Sequence, residues 1–197
     1  KVSSALFVDL IGSTQLAVEL APVEMVATLN ALFDATVRVV TDNGGWVNKF
    51  EGDGALCVFG APADQPDHAD RALRSARELP TAVAVLREAF AHLDVGIGVS
   101  SGRVVAGNVG AEERYEYTVL GDPVNEAARL TDEAQRVPAR VMAGGASHID
   151  LFDFKPELIK RDCGLTNVRE IAPPGLDLFS RLRRVALQWP SSRDEQL

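Results

Sequence analysis

The 197-residue sequence predicts an α/β sandwich in which helices flank a mixed, largely antiparallel sheet. Two observations carry that class. Apolar stretches of strand length alternate along the chain with amphipathic stretches of helical period. The segment WVNKFEGDGALCVFG, residues 46–60, joins two strand-like runs through a Glu-Gly-Asp-Gly turn. Such a tight hairpin has no place in a purely parallel sheet, so a doubly wound nucleotide-binding fold is set aside.

The elements follow in order. Residues 5–9 read as a buried strand, and a helix starts near Gly12 and runs to about Leu20. After Ala21-Pro22 a longer helix reaches about Thr41, because Val26, Leu29, Leu32, Phe33, Val37 and Val40 recur at helical spacing. Asp42-Asn43-Gly44-Gly45 stops it with two glycines suited to a left-handed cap. The hairpin comes next, then a helical region opened by residues 64–67, with Ala69, Ala72, Leu73 and Ala76 on its apolar face. Pro80 is expected to break or kink that helix before Val83, Leu86 and Phe90 resume the pattern. LDVGIGVSSG, RVVAGNVG and YEYTVLG are strand-like. DPVNEAARL is a helix start, with Asp122 expected at the cap and Pro123 in the first turn. A short strand at 140–142, a helix near 146–152 and closing strands near 157–162 and 177–182 complete the domain, 1–184. Residues 185–197 form a polar C-terminal tail.

Composition excludes several classes of function. A net charge of −8 provides no basic stripe for a nucleic-acid surface, so any anionic ligand must meet a local cluster of cations. The longest apolar runs fall short of the roughly 20 residues a membrane span needs. The two cysteines, Cys57 and Cys163, have no metal or disulfide spacing, and a cytoplasmic setting is expected.

The candidate chemistry begins at ALFVDLIGST, residues 5–14, where Asp9 interrupts an apolar strand. A buried, unpaired carboxylate is expensive and needs a partner. The plainer reading is that Asp9 caps the helix that follows. The alternative is a second carboxylate, Asp53 in the hairpin turn, brought to the same sheet edge. Two carboxylates with few other ligands suit Mg²⁺, which takes its remaining ligands from water and substrate phosphates. Gly12, Ser13 and Thr14 open a helix whose N–H groups could receive phosphate. Asn125 and Arg129 lie four apart and share a helix face, and Arg129 can pair with phosphate oxygens at any working pH. Lys49 is an isolated cation before the turn.

Taken together, FVDLIGST, KFEGDGALCVFG, VGIGVSSGRVVAGNVG and YTVLGDPVNEAARL resemble, in order, the motifs of class III nucleotidyl cyclase catalytic domains, and the bacterial adenylyl cyclases above all. The resemblance runs from about Ala5 to Leu182. It implies a ferredoxin-like, palm-type sheet and a head-to-tail homodimer with its sites at the interface. It also implies conversion of ATP to cyclic AMP and pyrophosphate with two ions, Mg²⁺ or Mn²⁺, per site. Asp9 and Asp53 would be the metal pair, and Leu10 would lend its backbone carbonyl. Asn125 would position the ribose and Arg129 would stabilise the reacting phosphate. Lys49 and Thr118 match the purine-reading positions, with Thr118 replacing the Asp found in many adenylyl cyclases. Arg169 and Arg114 are the candidates for a further phosphate contact. The partners implied are ATP and a second copy of the chain, with regulatory domains in a longer and possibly membrane-anchored parent. Two other readings stand beside this one: a catalytically silent nucleotide-binding or dimerisation module, and a cyclase with relaxed specificity that accepts GTP. A diguanylate cyclase is disfavoured, because Glu51-Gly52-Asp53-Gly54 stands where that family carries a Gly-Gly-acidic-acidic-Phe hairpin.

Overall fold

A computed structural model describes residues 1–111, 113–144 and 168–170. The helix expected near 146–152, the strands near 157–162 and 177–182, Cys163 and the tail 185–197 lie outside the described residues. The order is β1 (Val2–Leu10), α1 (Ser13–Glu19), α2 (Pro22–Asp42), β2 (Trp46–Glu51), β3 (Gly54–Phe59), α3 (His68–Leu86), β4 (Val95–Arg103), β5 (Val105–Ala111), β6 (Arg114–Leu120), α4 (Asp122–Ala134), β7 (Val141–Gly144) and β8 (Val168–Glu170). Six strands form one sheet in the order β2-β3-β1-β4-β7-β8, and β5-β6 form a separate two-stranded ribbon. Within the large sheet only β4 and β7 run parallel. The sheet is mixed and largely antiparallel, as the hairpin required.

Alternation along the strands divides the core. Leu6, Val8 and Leu10 of β1, Cys57 and Phe59 of β3, and Val95, Ile97 and Val99 of β4 bury one face. That face packs under Leu32 and Val40 of α2 and Ala72, Ala76, Leu79 and Val83 of α3. The opposite face carries Ala5, Leu56 and Val58, which meet Val104, Val119 of β6 and Ala127 of α4. Burial of this kind stabilises by about 25 cal/mol per Å² of apolar surface. Cys57 is wholly buried, and burial pushes its thiol pKa far up, so it packs as an apolar group.

Three expectations need correction. Pro80 does not break α3, which continues through it to Leu86. Ala76, Leu79 and Val83 on either side of it are fully buried, and that packing outweighs one missing N–H. The same helix starts at His68 rather than at 64–67, with Asp67 at its N-cap. In α4 the cap is Gly121, so Asp122 is the first helical residue and its side chain makes no capping bond.

The seating of α4 depends on glycine. A side chain at Gly98 would collide with Ala127 O and Thr131 N, and one at Gly96 would lie 2.7 Å from Thr131 O. Without those two Cβ atoms the helix rests directly on β4. Gly102 lies under Pro123, Gly98 under Ala127 and Gly96 under Gln135, so α4 runs antiparallel to β4.

Candidate active site

Asp9 and Asp53 are brought together by the register of β1 and β3. Asp9 pairs with Gly54, and Leu10 N–H donates to Asp53 O at 3.3 Å across the hairpin end. The Asp9 carboxylate lies over Gly54, where a side chain would come within 2.8 Å of Oδ1. Burial, then the negative charges of Asp53 and Asp132, push the Asp9 pKa from 3.8 up to about 6. The plainer role for Asp9 fails: α1 is capped by Gly12, with no side-chain capping bond. Among the described residues a weak donor reaches Asp9, Gln135 Nε2 at 3.4 Å from Oδ2. Two carboxylates facing each other under partial burial form a donor set for a hard divalent cation. Among the described residues no group of three or more His, Cys, Asp and Glu side chains is arranged to hold a metal. Leu10 is buried, its side chain in the core.

The phosphate-cradle candidates lie one turn beyond. Gly12 adopts φ 72°, a left-handed conformation that lets β1 turn directly into α1 at Ser13 and Thr14. Asp94 fixes this turn: its backbone carbonyl accepts from Ile11 N–H at 2.9 Å. The Asp94 carboxylate is clamped by Arg87 and by Arg140, whose Nη2 lies 2.8 Å away. Sequence reading missed Asp94 and Gln135, because neither sits in a recognisable motif.

Thr118 of β6 is tied to β2, next to Lys49, through a residue that sequence reading passed over. Between Val47 and Lys49 the β2–β3 register slips by one residue, a bulge at Asn48. Val47 packs in the α2–α3 core and Phe50 stacks on Phe33 of α2 at 4.3 Å, so both belong to that face. The extra residue therefore leaves Asn48 and Lys49 together on the other side. Asn48 Nδ2 donates to Tyr117 O at 2.7 Å, and Thr118 Oγ1 donates to Asn48 Oδ1 at 2.8 Å. Lys49 Nζ lies 2.5 Å from Glu51 in its own strand, and the Lys49 side chain is 35% exposed.

Asn125 and Arg129 sit on the exposed side of α4. Asp9 lies beside Gln135 at the C-terminal end of that helix, whereas Asn125 is nearly three turns away, about 15 Å along the axis. Arg114 is exposed at the hairpin end of the β5–β6 ribbon. Arg169 pairs with Ala143 on the edge strand β8. One chain thus assembles the carboxylate pair and, separately, the Asn48–Thr118 pair next to Lys49, and it leaves Asn125 about 15 Å along α4 from the residue beside Asp9.

A largely antiparallel palm-type sheet that lifts two acidic side chains at the end of its central strands is the frame of a nucleotide-cyclising domain. The family model for the adenylate and guanylate cyclase catalytic domain matches residues 2–155, and the chain belongs to that family. Among curated relatives, Mycobacterium tuberculosis proteins Rv1318c and Rv1320c are 46% and 47% identical over 140 residues, 71% of this chain. The chain spans only about a quarter of their length, 25% and 24%. Of solved structures, a bacterial light-regulated adenylyl cyclase superposes with TM-score 0.78 at 24% identity, covering 93% of this chain and 97% of that one. The guanylyl cyclase Cya2 gives 0.72 at 29%, covering 85% and 88%. The adenylyl cyclase CyaB from P. aeruginosa gives 0.69 at 27%, covering 75% and 78%. The likeness therefore extends to cyclases of both purines. Among the described residues no helix is long and apolar enough to cross a membrane.

Proposed function

We propose that this chain is an adenylyl cyclase catalytic domain, acting as a homodimer on ATP in the cytoplasm. The observation that carries the proposal is the Asp9–Asp53 pair: two like charges held together under partial burial call for cations. Mg²⁺ or Mn²⁺ held there, two ions per site, would acidify the ribose 3′-hydroxyl and neutralise the leaving pyrophosphate. Asp9, Asp53 and the Leu10 carbonyl are the groups that would hold the ions. Gly12, Ser13 and Thr14 receive phosphate oxygens on backbone N–H groups. In-line attack of the 3′-oxygen on the α-phosphorus breaks its bond to the pyrophosphate. Asn125 orients the ribose, and Arg129 meets the charge that develops on the phosphoryl oxygens. Arg114 and Arg169 remain candidates for the polyphosphate. The gap along α4 between Asp9 and Asn125 supports a site completed by a second copy, which a twofold axis would make two equivalent sites.

Lys49 supports ATP over GTP. Its ammonium can only donate, which suits the acceptor N1 of adenine and not the N1–H of guanine. The test is direct: purified protein with ATP or GTP and Mg²⁺ or Mn²⁺, the products identified. Cyclic AMP as the main product supports the reading. Preferential cyclic GMP overturns the purine, and no product from a folded, dimeric protein favours a silent module.

A further inference from the structure

We infer that Asn48 is a positioning residue for purine choice: it takes up the single hydroxyl proton of Thr118, so that Thr118 offers the base only acceptor lone pairs. The inference rests on the cyclase reading of the site and deepens it. A threonine hydroxyl is ambiguous in isolation, since it can accept from the exocyclic amino group of adenine or donate to the exocyclic carbonyl of guanine. The surroundings of Thr118 remove the ambiguity.

The argument begins at the edge of the ribbon. Among the described residues β6 has a strand partner on one side, β5, and none on the other, so that edge carries backbone carbonyls outside the ladder. Tyr117 O is one of these, and Asn48 lies 2.7 Å from it. A carbonyl oxygen only accepts, so the Asn48 atom facing it must be the NH₂ group. The amide orientation is thereby fixed, and its oxygen faces Thr118 at 2.8 Å. An amide oxygen also only accepts, so the hydroxyl must donate to it. Thr118 is 8% exposed, with little water to offer its proton another partner. Its remaining lone pairs are the only polarity it can show a ligand. The bulge is what makes this possible, because it puts Asn48 on the same side as Lys49. Lys49 as obligate donor and Thr118 as enforced acceptor complement the N1 and amino edge of adenine. Each presents the wrong sign to guanine.

The test measures kcat/KM for ATP and GTP in wild type, Asn48→Ala, Asn48→Asp and Thr118→Val, together with the double variant Asn48→Ala/Thr118→Val. Freeing the hydroxyl in Asn48→Ala should lower the ATP-to-GTP ratio about tenfold, chiefly through better use of GTP. Asn48→Asp keeps an acceptor for the hydroxyl and should hold the ratio while losing stability at Tyr117. In the Thr118→Val background, Asn48→Ala should not move the ratio, because no hydroxyl remains to redirect. Asn48→Leu, closer to asparagine in volume, replaces Asn48→Ala if that variant does not fold. An equal loss with both nucleotides, or a shift that persists without the Thr118 hydroxyl, reduces Asn48 to a tether and overturns the inference. The wild-type product tests the adenylyl reading separately. If wild type forms neither cyclic nucleotide, that reading falls, and the same ratios are read from equilibrium binding of ATP and GTP.

Discussion

Replacing Asp9 by Asn should make the metal-free protein more stable while abolishing activity, and the size of the gain follows from the site. Asp9 is half-buried and faces Asp53 and Asp132, and these causes lift its pKa from 3.8 to about 6. A folded-state pKa above the unfolded value means that the fold favours the neutral acid. The penalty for the charged form is therefore absent well below pH 3.8, grows as pH rises towards 6, and is fully present above that. A shift of about two pH units would correspond to roughly 3 kcal/mol, and solvent screening of a half-exposed group reduces this to about 1 kcal/mol. Asn keeps the shape and drops the charge. In chelator at pH 7.5, Asp9→Asn should gain about 1 kcal/mol in urea denaturation, falling to about a third of that at pH 4.5. Adding Mg²⁺ should reverse the order, since the ion stabilises only the protein that binds it. A variant less stable than wild type in chelator at pH 7.5, or a gain that ignores pH, would refute the reasoning.

Three further outcomes are expected. Asp9→Ala and Arg129→Ala, each inactive alone, should recover roughly a quarter of wild-type activity when mixed, because half the dimers carry one intact site of two. No recovery despite demonstrated subunit exchange would place both residues in one chain's site. Lys49→Glu should cut kcat/KM for ATP at least tenfold and raise relative use of GTP, whose N1–H can donate to the carboxylate, whereas Thr118→Asp should keep or sharpen the ATP preference. An unchanged ratio in Lys49→Glu removes Lys49 from base reading. Gly98→Ala should destabilise by about 2–3 kcal/mol in urea denaturation, because the new methyl overlaps Ala127 O and Thr131 N. A neutral effect would mean that α4 can lift off β4 freely.

The parts of the fold legible in the sequence were those written in local pattern. The hairpin at 52–53 and the helix after Pro22 appear where turn chemistry and apolar period place them. Pro80 misled because local propensity knows nothing of Ala76, Leu79 and Val83 buried on both sides of it. Asp9 could be singled out because a carboxylate in an apolar run is a conflict that demands a partner. Asn48 carried no such signal. Its importance arises from a one-residue slip in the β2–β3 register and from an open carbonyl on β6, a strand nearly 70 residues later. Gln135 and Asp94 were hidden for the same reason: their work is done across the fold.

The same helix that organises the site also keeps it incomplete. Gly96 and Gly98 let α4 lie flat on β4, which brings Gln135 and Asp132 to Asp9 and commits the helix's buried side to the sheet. Asn125 is then fixed on the exposed side nearly three turns from Gln135, and α4 cannot shift along the sheet to shorten that distance without lifting Ala127, Leu130 and Thr131 out of the core. Removing a residue such as Leu130 from its contacts would cost about 2–5 kcal/mol, judged from large-to-small core substitutions. That exceeds what one exposed polar contact would return. A rearrangement within one chain is therefore the harder route. Docking the exposed face of α4 against the carboxylate end of a second copy needs no core to open, and this is why the complementation experiment bears on the architecture as much as on the residues.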